Sequence, residues 1–319
     1  MRNTKLWTGI LWVLVAVYGA ATFANTLFSL SIPIAPLLLV SVAFALLHGA
    51  LRYRWSGIVT FIVICLVVSN ILENTSILTG FPFGHYHYTD ALGPKLFLVP
   101  LLIGPAYFAT GYLAWVLSTI LVGDVRRESS ALATFTAPFI ASFVMVMWDL
   151  CFDPTASTIR HIWIWEQGGG YFGVPLTNYL GWFFTVYVFL QLFALFLRLR
   201  PARQELTSTL PRSFYAQAVV MYAVIGLTYV LDYVVGRGST LVTDAAGVAW
   251  QTGSIAESSA TVSIFTMIFV AALSAVKLLP GSADHHPTLV DANTDGLATK
   301  RVGASVPVAA LSQTVGHGD

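Results

Sequence analysis

The sequence predicts an all-α, polytopic integral membrane helical bundle of about eight transmembrane helices, with cytoplasmic N- and C-termini and two long aromatic outer loops. Three observations predict it. Hydrophobic residues make up 56% of the 319 and charged ones 10%, with a mean hydropathy of +0.75, outside the range of soluble domains. Eight apolar runs approach the roughly 20 residues that a helix needs to cross about 30 Å of hydrocarbon. The basic residues then sort by side, because Lys and Arg stay in short cytoplasmic loops. Threading the runs from an inner N-terminus leaves only Lys95, Arg160 and Arg237 outside, with the other thirteen of sixteen inside.

Taken in order, the first run, 6–30, follows Arg2 and Lys5. It is longer than the roughly 7 to 15 apolar residues of a signal peptide, so it is expected to be a span rather than a cleaved leader. Runs two to eight cover 33–51, 57–78, 96–121, 131–151, 179–197, 216–235 and 254–279. Pro100, Pro105 and Pro138 fall inside spans four and five, where proline frees backbone carbonyls that the bundle must satisfy. Residues 1–279 form the expected transmembrane domain; from 280 to 319 the chain turns polar and is expected to be a disordered cytoplasmic tail. Cys65 and Cys151 have neither zinc spacing nor a disulfide framework, and a net charge of +1 gives no field for nucleic acid.

The acids carry more information. Glu73 comes 16 residues after Gly57 on an outward span, and Asp149 comes 18 after Ala131 on another. At about 1.5 Å per residue both reach the outer boundary, as do Asp232 and Glu257, which are expected to be interfacial carboxylates hydrogen-bonded to a helix end while Glu73 and Asp149 are the functional pair. Intramembrane acids usually face the bundle interior and mark function. Asn70, Glu73 and Asn74, spaced i, i+3 and i+4, share one helix face. Asp153 precedes Pro154, so it is expected at a helix C-terminus, where the macrodipole favours the protonated acid.

Two outer loops flank these acids. Residues 79–95 read TGFPFGHYHYTDALGPK, an aromatic wall with His85 and His87 between Phe83, Tyr86 and Tyr88. The connection between spans five and six, from Trp148 to Trp182, is crowded with Asp153, Arg160, His161, Trp163, Trp165, Glu166, Tyr171 and Asn178. A plain linker needs no such set. Together the loops are expected to form a lid.

These residues resemble a known family, the membrane carotenoid-biosynthesis proteins that include the carotenoid 1,2-hydratases of γ-carotene and bisanhydrobacterioruberin. The likeness rests on Glu73-Asn74, Gly80 to Tyr86, Gly93 to Pro105, Trp148-Asp149, Asp153-Pro154, Trp163 to Trp165, Gly170 to Pro175, Asn178 and Gly181-Trp182, and spans roughly residues 58–197. It implies addition of water across the terminal double bond of an acyclic carotenoid end, through a tertiary carbocation, with no cofactor and no resident metal. Chemistry then nominates Asp149 or Asp153 as acid and Glu73 as the group that takes a proton from water. The expected substrate contacts are Asn70, Asn74, Phe83, His85, Tyr86, His87, Trp148, Trp163, Trp165, Glu166, Tyr171 and Asn178, with aromatic faces stabilising the cation.

The expected partners are a membrane-embedded carotenoid, the lipid bilayer and other carotenoid-pathway enzymes, with no nucleic acid; the expected location is the plasma membrane, crossed several times. Two other readings compete. One is a metal-dependent membrane carotenoid or lipid oxygenase or desaturase using the His and carboxylate groups. The other is a lipid-binding or proton-coupled transporter, although transporters place their sites near the midplane and often show repeats.

Overall fold

The structure, a computed structural model, describes residues 4–201, 210–236 and 238–280. Nearly all of the expected tail, and Arg2, Arg203, Arg237, Lys300 and Arg301 of the charge pattern, lie outside those residues. Among the described residues seven helices are long and apolar enough to cross a membrane. They are α1 (Thr4–Phe28), α2 (Ile34–Thr79), α3 (Ile103–Val122), α4 (Ala131–Asp153, extended by a π-helical turn Pro154–Ile159), α5 (Leu176–Leu199), α6 (Arg212–Val235) and a last span, Thr252–Lys277. That span is built from α7 (Thr252–Val262), a second π-helical turn and α8 (Phe269–Lys277).

Seven helices and eight apolar runs agree once α2 is inspected. Arg54 has φ 60 and ψ 170, which no helix contains, and divides the 46 residues into legs 34–53 and 55–79. A Cβ on Gly49 would stand 2.3 Å from Ile58 Cδ1, although nine residues of straight helix are about 13 Å long. The chain therefore folds back at Arg54, and each leg is one of the expected spans. Arg200 holds the reversal by donating to the Tyr53 carbonyl at 2.7 Å and to Ser56 Oγ at 3.1 Å. At the same end Arg52 donates to Thr119 and Asp124.

α3 is the centre of the bundle. Almost every residue from Tyr107 to Ile120 is buried, because α2, α4, α6 and α8 all pack against it. In lipid every carbonyl needs a partner inside the protein, and the proline-bearing helix shows how this chain provides them. Pro138 cannot donate to Thr134 four residues back; Gln191 on α5 reaches that carbonyl at 3.4 Å. Pro154 likewise frees Leu150, whose carbonyl accepts from the Tyr171 hydroxyl at 3.3 Å.

Pro154 does not end α4. Asp153 keeps helical angles, φ −60 and ψ −44, and the helix runs on through the π turn. The expected C-terminal position of Asp153 is thus corrected: the wider turn accommodates the proline ring, and the macrodipole argument no longer applies at that residue.

Among the described residues three short two-stranded antiparallel sheets cap the bundle or join its ends: β1 (Tyr86–Tyr88) pairs with β4 (Trp163–Trp165), β2 (Lys95–Leu96) with β3 (Val99–Pro100), and β5 (Leu241–Thr243) with β6 (Ala249–Gln251). The first pair joins the two long loops into one ribbon.

Candidate active site

Strand alternation organises the site. Successive residues of a strand face opposite ways, so in the register Tyr86 to Trp165 and Tyr88 to Trp163 four rings share one face. That face is buried, and His87 on the other side is exposed. The buried face delivers hydrogen bonds to two different carboxyl groups. Tyr88 donates to Glu73 Oε2 at 3.0 Å, and Tyr86 donates to the same oxygen. Trp163 Nε1 donates to Asp153 Oδ1 at 2.8 Å, and Trp165 Nε1 at 3.4 Å. One two-stranded ribbon therefore couples the acid of α2 to the acid of α4.

Each carboxyl has a further partner from the bundle. Tyr107 on α3 donates to Glu73 Oε1 at 2.7 Å, so three hydroxyls address one carboxyl. Asn178, in the first turn of α5, donates through Nδ2 to Asp149 Oδ2 at 2.9 Å and to Asp153 Oδ2 at 2.6 Å. Asp149 Oδ1 is buried and, among the described residues, has no hydrogen-bond partner. Glu73, Asp149 and Asp153 are each at most 3% exposed, and among the described residues none of them pairs with a cation. Burial first, and the Glu73 carboxyl second, push the Tyr86 and Tyr88 hydroxyls well above the ordinary phenol range. Both stay protonated and act as donors.

A cavity of about 270 Å³ lies under the ribbon. Glu73, Phe83, Tyr86, Tyr88, Tyr107, Trp148, Phe152, Trp163, Trp165, Asn178 and Trp182 line its aromatic end, and Leu37, Leu38, Ile103, Ala106, Ala109 and Leu113 continue it between α2 and α3. The rings form a box: Tyr107 stacks on Trp182 at 4.3 Å, Trp182 meets Trp148 edge-on at 5.8 Å, and Trp148 stacks on Phe152 at 4.8 Å. Ile34, which also lines the cavity, is 37% exposed, so the space reaches the bundle surface at the start of α2.

The expected residues separate into three groups. Glu73, Phe83, Tyr86, Trp148, Trp163, Trp165 and Asn178 are on the wall. Asp149 and Asp153 are not; they lie behind Asn178 and the two indoles. The remaining contacts are corrected. His85, His87 and Glu166 are exposed, and His87 Nδ1 lies 3.3 Å from Glu166 Oε1 on the outer face of the ribbon. Asn74 donates to the Asn70 carbonyl at 2.7 Å and accepts from Leu98 N–H at 3.0 Å, anchoring the β2–β3 turn rather than supporting Glu73. Tyr171 serves the helix carbonyl freed by Pro154. The i, i+4 relation put Asn70 and Asn74 near Glu73 correctly, but side chains that bond locally do not reach the next layer.

Tyr88, Tyr107, Phe152 and Trp182 also line the wall and are not among the expected contacts. Tyr107, four residues into α3, offered its hydroxyl within reach of Glu73 as the available signal. Among the described residues no three of His, Cys, Asp and Glu stand together so as to hold a metal ion.

The profile of a family described as carotenoid biosynthesis protein matches residues 33–244. A 123-residue stretch is 32% identical to bisanhydrobacterioruberin hydratase of Haloarcula japonica, covering 38% of this chain and 40% of that protein. The chain thus matches less than half the length of that relative. No solved structure matches.

Proposed function

The chain belongs to the carotenoid biosynthesis protein family, and we propose that within it this protein adds water across the terminal isopropylidene double bond of an acyclic carotenoid end, giving a tertiary alcohol. The observation that carries this reading is the pairing of one wall carboxyl, Glu73, with a box of aromatic rings in a cavity closed from above by buried side chains. Protonation of an alkene needs a carboxyl at the carbon, a surface that tolerates positive charge, and one water.

Glu73 gives its proton to the less substituted alkene carbon, and the positive charge develops on the tertiary carbon. Tyr86, Tyr88 and Tyr107 then stabilise the carboxylate left behind, since hydrogen bonds to a charged acceptor strengthen as its charge develops. Each ring face turned to the cation contributes on the order of 0.5 to 2 kcal/mol, so Trp148, Trp182 and Phe152 together matter where one would not. Water adds to the cation, and the resulting oxonium returns a proton to Glu73. Carbon gains H and OH, and the carboxyl ends as it began.

Asp149 and Asp153 are proposed to act from behind. Among the described residues Asp149 Oδ1 has no hydrogen-bond partner, so it is the open position for a proton shared by this pair. Asn178 bridges the pair and itself reaches the wall. The apolar arm of the cavity suits the polyene, whose remaining length lies in the bilayer of the membrane, proposed to be the plasma membrane.

The likeness to a bisanhydrobacterioruberin hydratase supports hydration over the oxidative reading. Expression in a host that accumulates lycopene or γ-carotene tests it through pigment mass. Gain of one water supports the proposal; loss of hydrogen, or gain of an oxygen atom alone, overturns it.

A further inference from the structure

The cavity has a second polar region that the chemistry above does not use. Asp232 on α6 lines it, with Tyr18 and Thr22 of α1 and Thr228 and Tyr229 of α6. Thr26 donates to Asp232 Oδ1 at 2.8 Å, and among the described residues no ion pair neutralises the carboxyl. An acid on the wall of an otherwise apolar space near a membrane boundary is costly unless it meets water or a polar ligand. A hydrocarbon offers it nothing.

Hydration consumes one water per turnover; the ribbon rings Tyr86, Tyr88, Trp163 and Trp165 are buried, none more than 8% exposed, while the exposed Arg160 also lines the cavity beside them. Asp232 is half-buried, and Thr228 beside it returns its own hydroxyl proton to the Val224 carbonyl at 3.0 Å, leaving the oxygen free to accept. We propose that Asp232, with Thr22 and Thr228, forms a hydroxyl-binding station through which water enters the cavity and by which the product alcohol is received. The assignment rests on the hydratase reading but has an observable of its own, access by water.

The test uses the full chain in membranes, with Thr228→Cys, Thr22→Cys, Leu113→Cys and Arg160→Cys made singly and treated with a charged, water-soluble methanethiosulfonate. Cys65 and Cys151 are buried, so wild type treated with the same reagent sets a low background. Labelling at 228 and 22 but not at 113, deep in the apolar arm, is expected. In parallel, Asp232→Leu is expected to slow pigment hydration about tenfold, the loss of roughly one hydrogen bond to the water, while Asp232→Asn keeps most of the rate. No labelling at either threonine position, labelling at 160 alone, or an Asp232→Leu protein as fast as wild type overturns the proposal. A wild type that hydrates no carotenoid overturns the reading beneath it, and the labelling pattern still decides whether water reaches this station.

Discussion

Replacing Glu73 by Gln probes the site with the least disturbance to the fold. Three tyrosine hydroxyls converge on this side chain. An apolar replacement would strand them in a buried setting at about 1 to 3 kcal/mol each, or roughly 3 to 9 kcal/mol in all, enough to unfold many proteins. Glutamine keeps one acceptor oxygen, and its amide donates to a hydroxyl that can turn to accept. What is lost is the transferable proton and, once that proton has left, the charge-assisted bonds to the carboxylate, each about 1 to 2 kcal/mol stronger than a neutral one. Loss of a positioned general acid costs about 10² to 10⁴ in rate. Glu73→Gln is therefore expected to accumulate as folded, membrane-inserted protein while conversion of an acyclic carotenoid falls at least about a hundredfold. The assay is pigment mass against time, normalised to protein recovered by gel filtration in detergent. Wild-type conversion by a folded Glu73→Gln protein would refute the acid–base role of this carboxyl.

Other outcomes follow from the same geometry. Asn178→Leu removes the amide that both aspartates accept from; it should lower conversion and destabilise by about 1 to 3 kcal/mol for each oxygen left unpaired, read as a lower melting temperature. His87→Ala with Glu166→Ala breaks only an exposed pair, so activity should stay within about twofold and stability within roughly 1 kcal/mol. At the far end, Arg52→Ala strips Asp124 of its buried partner and should cost about 3 to 5 kcal/mol. Burial alone would raise the Asp124 carboxyl, but Arg52 and Arg126 hold it below the usual carboxylate range. Its stabilisation is therefore fully present above the unfolded value of about 3.9 and is lost as pH falls through the lower folded value. Thermal melts below pH 4 should show that loss in wild type and a shallower dependence in Arg52→Ala.

How much of this was legible in the sequence depended on the range of the interaction. Apolar length is a local property, so the spans could be read directly, including the two legs of α2 that no proline or glycine separates. Depth along a helix is nearly as local, which is why Glu73 and Asp149 were expected at one level. The ribbon was harder. Which of Tyr86, His87 and Tyr88 faces inward depends on a strand register with Trp163 to Trp165, some 75 residues away in sequence, and that register turned both histidines outward. Tyr107 had no local mark beyond its hydroxyl. Pro154 misled because a π turn can absorb it, a solution that depends on Tyr171 arriving from a different loop.

The central claim is that water, delivered to a carbocation inside the bundle, is the source of the product's oxygen. Membranes containing the wild-type chain, incubated with an acyclic carotenoid under anaerobic conditions in ¹⁸O-labelled water, test it most directly. A tertiary alcohol carrying the heavy label is expected in the absence of molecular oxygen. A product formed only when oxygen is admitted, or one whose oxygen is unlabelled, would contradict it.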